Sequence, residues 1–103
     1  MKNDSKKIVV ISGGFDPIHS GHISYIKASR KHGDFLIVLL NSDDWLVNKK
    51  GKYFLPYSER KIILENLTLV DVVLDFEDDD LGSCIKGLEK IKKKYSSSKI
   101  IFC

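Results

Sequence analysis

A chain of 103 residues, 43% hydrophobic and 30% charged, has room for one domain with a modest core and the make-up of a globular protein. Its formal net charge of +3 falls short of a nucleic-acid face; many of the basic residues lie in two stretches, 49–52 and 86–94, which suits an anionic small molecule. Cys84 and Cys103 have no metal-ligand spacing and imply no disulfide framework, and the polar start MKNDSKK followed by a short apolar run carries neither a signal peptide nor a bilayer span, so the cytoplasm is the expected location and no membrane partner is expected.

Lys7 to Ser12 (KIVVIS) is a short, continuous, β-branched apolar run, the pattern of a strand buried on both faces. Gly13-Gly14-Phe15-Asp16-Pro17 breaks it. A helix is predicted from Ser20 or Gly21 to about His32, with Ile23, Ile26 and Ser29 on its inner face and Gly33 as a left-handed terminator. Phe35 to Leu40 (FLIVLL) is a second buried strand. Residues 41–55 show little periodicity and hold Lys49, Lys50 and Lys52; they read as a loop. A helix begins at Pro56 to Ser58, with Glu59 in its first turn and Ile62, Ile63 and Leu67 turned inward. Val72 to Leu74 is a third strand. Leu81, Cys84, Ile85, Leu88, Ile91 and Tyr95 form one helical stripe. Lys99 to Cys103 (KIIFC) is a fourth strand. This alternation implies an α/β fold: a Rossmann-like parallel sheet with helices on both faces, strand 7–12 central between 35–40 and 99–103. Ligands of such sheets bind beyond the carboxyl ends of the strands.

The segment at the carboxyl end of the first strand reads GGFDPIHSGH. Two glycines let a backbone approach a ligand closely, and Pro17 stiffens the turn. His19 and His22, three apart at a helix start, share one helix face and can point at one spot before the helix N-terminus, where unpaired N–H groups and the helix dipole favour an anion. Two such donors suit charge developing on a phosphate in transfer, a reaction that needs positioning and neutralisation more than a nucleophilic side chain. A bare Gly-Gly turn and a lone surface histidine are ordinarily structural. Half of a zinc site is the other reading, but His32 and the cysteines lie at no recognisable spacing. The combination is more specific than its parts.

GGFDPIHSGH resembles the His-x-Gly-His signature of the nucleotidylyltransferase superfamily. The stretches GHISYIKASRKHGDFLIVLLNSDDW and YSERKIILENLTLVDVVLDFEDD, with a Lys-rich loop between, are similar to the glycerol-3-phosphate cytidylyltransferase and heptose-1-phosphate adenylyltransferase branches. The resemblance implies a nucleotide site over Gly13, Gly14, Phe15, Asp16, His19, Ser20, Gly21 and His22, with both histidines on the phosphates and Asp16 bracing the loop. Lys49 or Lys50 would bridge the NTP and the acceptor phosphate. Arg60 would either reach the acceptor phosphate or pair with a carboxylate. Mg²⁺ is expected to accompany the NTP, with no protein ligand; the acidic run Glu77 to Asp80 reads as a solvated helix start, and Lys86, Lys90 and Lys92 to Lys94 as the wet face of the last helix.

The implied reaction moves CMP or AMP from CTP or ATP to a phosphorylated polyol or sugar, releasing pyrophosphate. The family pattern continues past a fourth strand into a further strand and helix, so the expectation from this sequence is a fold lacking those last elements, weak NTP binding and little turnover by these residues alone. The apolar run KIIFC also raises the expectation of a homodimer. Two other classes meet the same residues: a nucleotide-binding module without catalysis, and a fragment of a tRNA-synthetase-like fold, which the short chain and the missing lysine-rich second signature disfavour.

Overall fold

The computed structural model describes residues 7–76 and 84–103. The acidic run 77–80 and Leu81 lie outside the described residues. The strands are β1 (Lys7–Gly13), β2 (Phe35–Leu40), β3 (Val72–Leu74) and β4 (Lys99–Phe102), all parallel, in the order β3-β2-β1-β4. β1 is therefore central, pairing Ile8 with Phe35 on one side and with Ile100 on the other. The helices among the described residues are α1 (Ser20–Arg30), α2 (Asp43–Lys50), α3 (Tyr57–Glu65) and α4 (Ile85–Lys94). No helix among them is long and apolar enough to cross a membrane.

The period of two along the strands splits the core between the two faces of the sheet. Val9, Ile11, Leu36, Val38 and Leu40 pack with Ile26 of α1 and Leu64 of α3, while Ile8, Val10, Ile37 and Leu39 pack with Ile91 of α4. Complete burial of Ile8 to Ile11 and of Leu36 to Leu40 is what makes both strands continuous apolar runs. Burial of one such side chain against water contributes about 1.5–3 kcal/mol, so this double-sided core is the main stabilising term.

Four local expectations are corrected. Residues 43–50 are a helix, not loop: the Ser42 hydroxyl caps the Trp45 N–H at 3.0 Å, Asp43 and Asp44 lie in the first turn, and Gly51 closes it at φ 85°. Gly33 is not left-handed. It is there because a Cβ would stand 2.7 Å from Val9 Cγ2 and 2.8 Å from the Lys7 carbonyl, beside the Asp34 N–H to Lys7 O bond. Ile62 is 55% exposed, and α3 turns Arg60 and Leu64 inward instead. Ile85 is likewise 55% exposed; α4 packs through Gly87, Leu88 and Ile91, and a Cβ at Gly87 would press on Leu39 at 2.9 Å.

Candidate nucleotide site

The carboxyl ends of β1 and β2 open into a cleft of about 610 Å³, within the size range of small-molecule sites. Gly14, Phe15, Asp16, His19, His22, Lys49 and Lys50 line it, together with Pro17, Trp45 and Leu46. Gly13, Ser20 and Gly21 belong to the same strand–turn–helix segment. Two elements thus form the walls: the turn from β1 into α1, and α2.

His19 is the N-cap of α1, and its ring does the work usually given to a serine or aspartate. Gly21 N–H donates to His19 Nδ1 at 3.0 Å, and His19 N–H donates to His22 Nδ1 at 3.1 Å. The pair is a capping box built from two imidazoles. An Nδ1 that accepts carries no proton, so each neutral ring holds its proton on Nε2. The rings sit 4.1 Å apart at 38°, and Phe15 packs on His22 at 4.9 Å. Burial, then the neighbouring His19, holds the His22 imidazole below its ordinary value of 6.5. The spacing also explains Gly21, because a Cβ there would meet His19 Cε1 at 2.8 Å.

This arrangement leaves fewer free amides than a helix start ordinarily offers. Among the first-turn amides, Gly21 N–H is taken by His19 Nδ1 and His22 N–H by the His19 carbonyl at 2.9 Å. Ser20 N–H is the first-turn amide left without a protein acceptor among the described residues. The donors offered to an anion are then two Nε2–H groups and one amide, on the positive end of a helix.

Phe15 has φ 51°, a conformation that costs a non-glycine residue roughly 1–2 kcal/mol. The residue is only 4% exposed and its ring is anchored in the core. Gly14 is fixed by α2, since a Cβ would lie 2.7 Å from Leu46 Cδ2. The Asp16 side chain, 1% exposed, accepts from Phe54 N–H at 2.7 Å and Leu55 N–H at 2.6 Å and pairs with Lys50 at 3.3 Å. Burial pushes this carboxyl up, but those two hydrogen bonds and Lys50 outweigh it and hold it below 3.8. Asp16 therefore ties segment 51–56 to the glycine turn.

The two lysines differ. Lys50 is committed to Asp16, through the carboxylate and through the backbone carbonyl at 2.9 Å. Lys49 stands over the Trp45 ring at 5.0 Å and has no carboxylate partner among the described residues, so its ammonium can move to a phosphate. Arg60 does not line the cleft. It is 1% exposed and pairs with Asp43 at 2.7 Å, the second of the two roles considered for it. The reading of the sequence missed Trp45 and Leu46; the signals were the Ser42 cap and Gly51 that bracket their helix.

A parallel sheet whose first strand runs through a glycine turn into a histidine-capped helix, with the lysine-bearing last turn of α2 lining the same cleft, defines a Rossmann-like domain of the nucleotide-handling class. The chain belongs to the cytidylyltransferase-like family, whose model matches residues 10–102. It is 41% identical over 85 residues to the bifunctional protein HldE of Shigella sonnei (strain Ss046), a match covering 81% of this chain and 18% of that protein. The HldE protein of Escherichia coli O1:K1 / APEC gives the same identity and coverage. The chain thus spans less than a fifth of these relatives. In fold it is similar to the crystal structure of the lipopolysaccharide core biosynthesis protein from Thermoplasma volcanium GSS1, with a TM-score of 0.72 and 23% identity over 95% of this chain and 96% of that one.

Proposed function

We propose that this chain carries the nucleotide site of a nucleotidylyltransferase that transfers CMP or AMP from CTP or ATP to a phosphorylated polyol or sugar. The observation that carries the reading is the pair of imidazoles whose Nδ1 atoms are spent on backbone N–H groups, leaving two Nε2–H donors at a helix N-terminus beside the cleft. A phosphate oxygen of the acceptor attacks the α-phosphorus, the new P–O bond forms as the bond to the bridging oxygen breaks, and pyrophosphate leaves. The attacking oxygen is already anionic, so no general base is needed. His19 and His22 stabilise charge on the transferring phosphoryl group, and Lys49 bridges the NTP and the acceptor phosphate. Asp16 and Lys50 hold the turn. Mg²⁺ would arrive on the NTP phosphates, and we assign it no protein ligand.

The test is pyrophosphate release with CTP and with ATP against a panel of sugar and polyol phosphates. Release that needs both an NTP and an acceptor, and that falls on His19→Ala or His22→Ala in folded protein, supports transfer. NTP binding at residues 13–22 with silence across the panel would instead favour a non-catalytic nucleotide-binding module.

A further inference from the structure

The geometry points to Arg60 as the positioning residue of the cleft: one buried guanidinium sets the glycine turn, the start of α2 and segment 51–56 relative to one another. It rests on the nucleotide-site reading above and adds to it a residue that touches no ligand. Arg60 Nη1 donates to the Gly14 carbonyl at 2.9 Å and the Asn41 carbonyl at 2.7 Å. Nε donates to the Leu55 carbonyl at 3.0 Å, and Nη2 to Asp43 Oδ1 at 2.7 Å. Those four acceptors lie on the exits of β1 and β2, on segment 51–56 and on the first turn of α2. Two of them, the exit of β1 at Gly14 and the first turn of α2, belong to the two elements that wall the cleft, and segment 51–56 is tied to the same turn through Asp16.

The network closes on itself. Asn41 N–H donates to the Gly13 carbonyl at 3.0 Å, so the two strand exits are joined both directly and through Arg60. Asp16 grips the N–H groups of Phe54 and Leu55, while Arg60 grips the Leu55 carbonyl from the other side. The Tyr57 ring flanks the guanidinium at 5.6 Å. A planar fork of fixed donors can hold several carbonyls in one arrangement; a lysine ammonium of equal charge cannot. Burying a cation with one carboxylate partner among the described residues, itself 32% exposed, costs stability that packed apolar residues would not, and position is what the fork supplies in return. Drawing the Gly14 carbonyl toward Arg60 fixes the peptide plane that enters Phe15. Holding Asp43 fixes the axis of α2, and with it the reach of Lys49.

The experiment compares the parent with Arg60→Lys and Arg60→Met, each at a temperature well below its own Tm so that only folded protein is read. Two measurements are made: amide ¹H–¹⁵N spectra without ligand, and binding of CTP, ATP and inorganic pyrophosphate by calorimetry. A positioning role predicts that amides of Gly14, Asn41 and the Trp45–Lys50 segment shift together in both variants, while those of β4 and α4 stay put. It also predicts affinity lower by on the order of tenfold or more, with Arg60→Lys no better than Arg60→Met. Variants that melt lower yet, when folded, keep parental spectra at those amides and parental affinity would overturn the proposal, leaving Arg60 a stabilising residue only. If the parent binds none of the three probes, the nucleotide reading fails, and the ligand-free spectra still decide the positioning claim.

Discussion

Alanine at position 21 separates the helix from the site. In an exposed helical position Gly→Ala ordinarily stabilises by about 0.5–1 kcal/mol. Here the new Cβ would sit 2.8 Å from His19 Cε1 and 3.1 Å from Nδ1. An ordinary carbon contact needs about 3.5 Å, so the ring must give by roughly 0.7 Å. The ring is the free end of a side chain and can turn away, but turning breaks the 3.0 Å bond from Gly21 N–H to Nδ1. Losing an N-cap costs about 1 kcal/mol. The two terms nearly cancel, and at roughly 4–8 °C per kcal/mol Tm should stay within about 5 °C of the parent. Nucleotide affinity does not share in that cancellation. A displaced His19 Nε2–H forfeits a hydrogen bond to a charged phosphate, worth about 1.5–3 kcal/mol, or tenfold and more in Kd. Thermal melts followed by calorimetric titration with CTP and ATP on Gly21→Ala provide the assay. A variant whose Tm rises by the full propensity gain and whose affinity is unchanged would refute the locked-ring geometry.

His22→Gln keeps an acceptor suited to the third position of a capping box but removes the titrating ring. Because the folded imidazole lies below 6.5, the unfolded chain takes up the proton first, so this residue's share of stability is full above pH 6.5 and is lost as pH falls toward the folded value. Urea unfolding between pH 5 and 8, on the order of that window, should show a shallower acid slope in His22→Gln than in the parent, with weakened nucleotide binding at every pH. Asp16→Asn replaces an acceptor by an NH₂ facing the Phe54 and Leu55 N–H groups and should lower stability by about 1–3 kcal/mol at neutral pH. Its folded carboxyl lies below 3.8, so the contribution is present above that value and vanishes as pH falls through the folded one; the two proteins should converge in acid, and a gap that persists there would count against the carboxylate account. Lys49→Ala should weaken NTP binding with Tm unchanged, whereas Lys50→Ala, which removes the partner of Asp16, should lower Tm; melts and titrations that show the reverse would exchange the two roles.

The strands were legible because a strand buried on both faces writes an unbroken apolar run, and Ile8 to Ile11 and Leu36 to Leu40 do so. The α2 helix was not, because Leu46 is its only buried residue and one buried position makes no stripe. Its ends were nonetheless written, in Ser42 with two acids after it and in Gly51 after two lysines. Ile62 and Ile85 show the opposite failure: periodicity offers an isoleucine to a face, but the neighbouring element decides which face is covered. The histidine pair was readable by spacing alone. That their Nδ1 atoms cap the backbone, and that the helix amides are therefore mostly spent, needs coordinates. Arg60 is the clearest limit, since nothing in Ser-Glu-Arg-Lys tells a surface arginine from one holding the carbonyls of Gly14, Asn41 and Leu55.

The central claim is that a nucleoside triphosphate seats its phosphates on the turn from β1 into α1. Amide ¹H–¹⁵N spectra of the chain, titrated with CTP, with ATP and with inorganic pyrophosphate in the presence of Mg²⁺, test it most directly. The account predicts saturable shifts concentrated on Gly13, Gly14, Ser20, Gly21 and His22 and reaching Lys49, and their loss in His19→Ala. Saturable shifts centred elsewhere, or shifts at these amides that survive His19→Ala and His22→Ala alike, would contradict it.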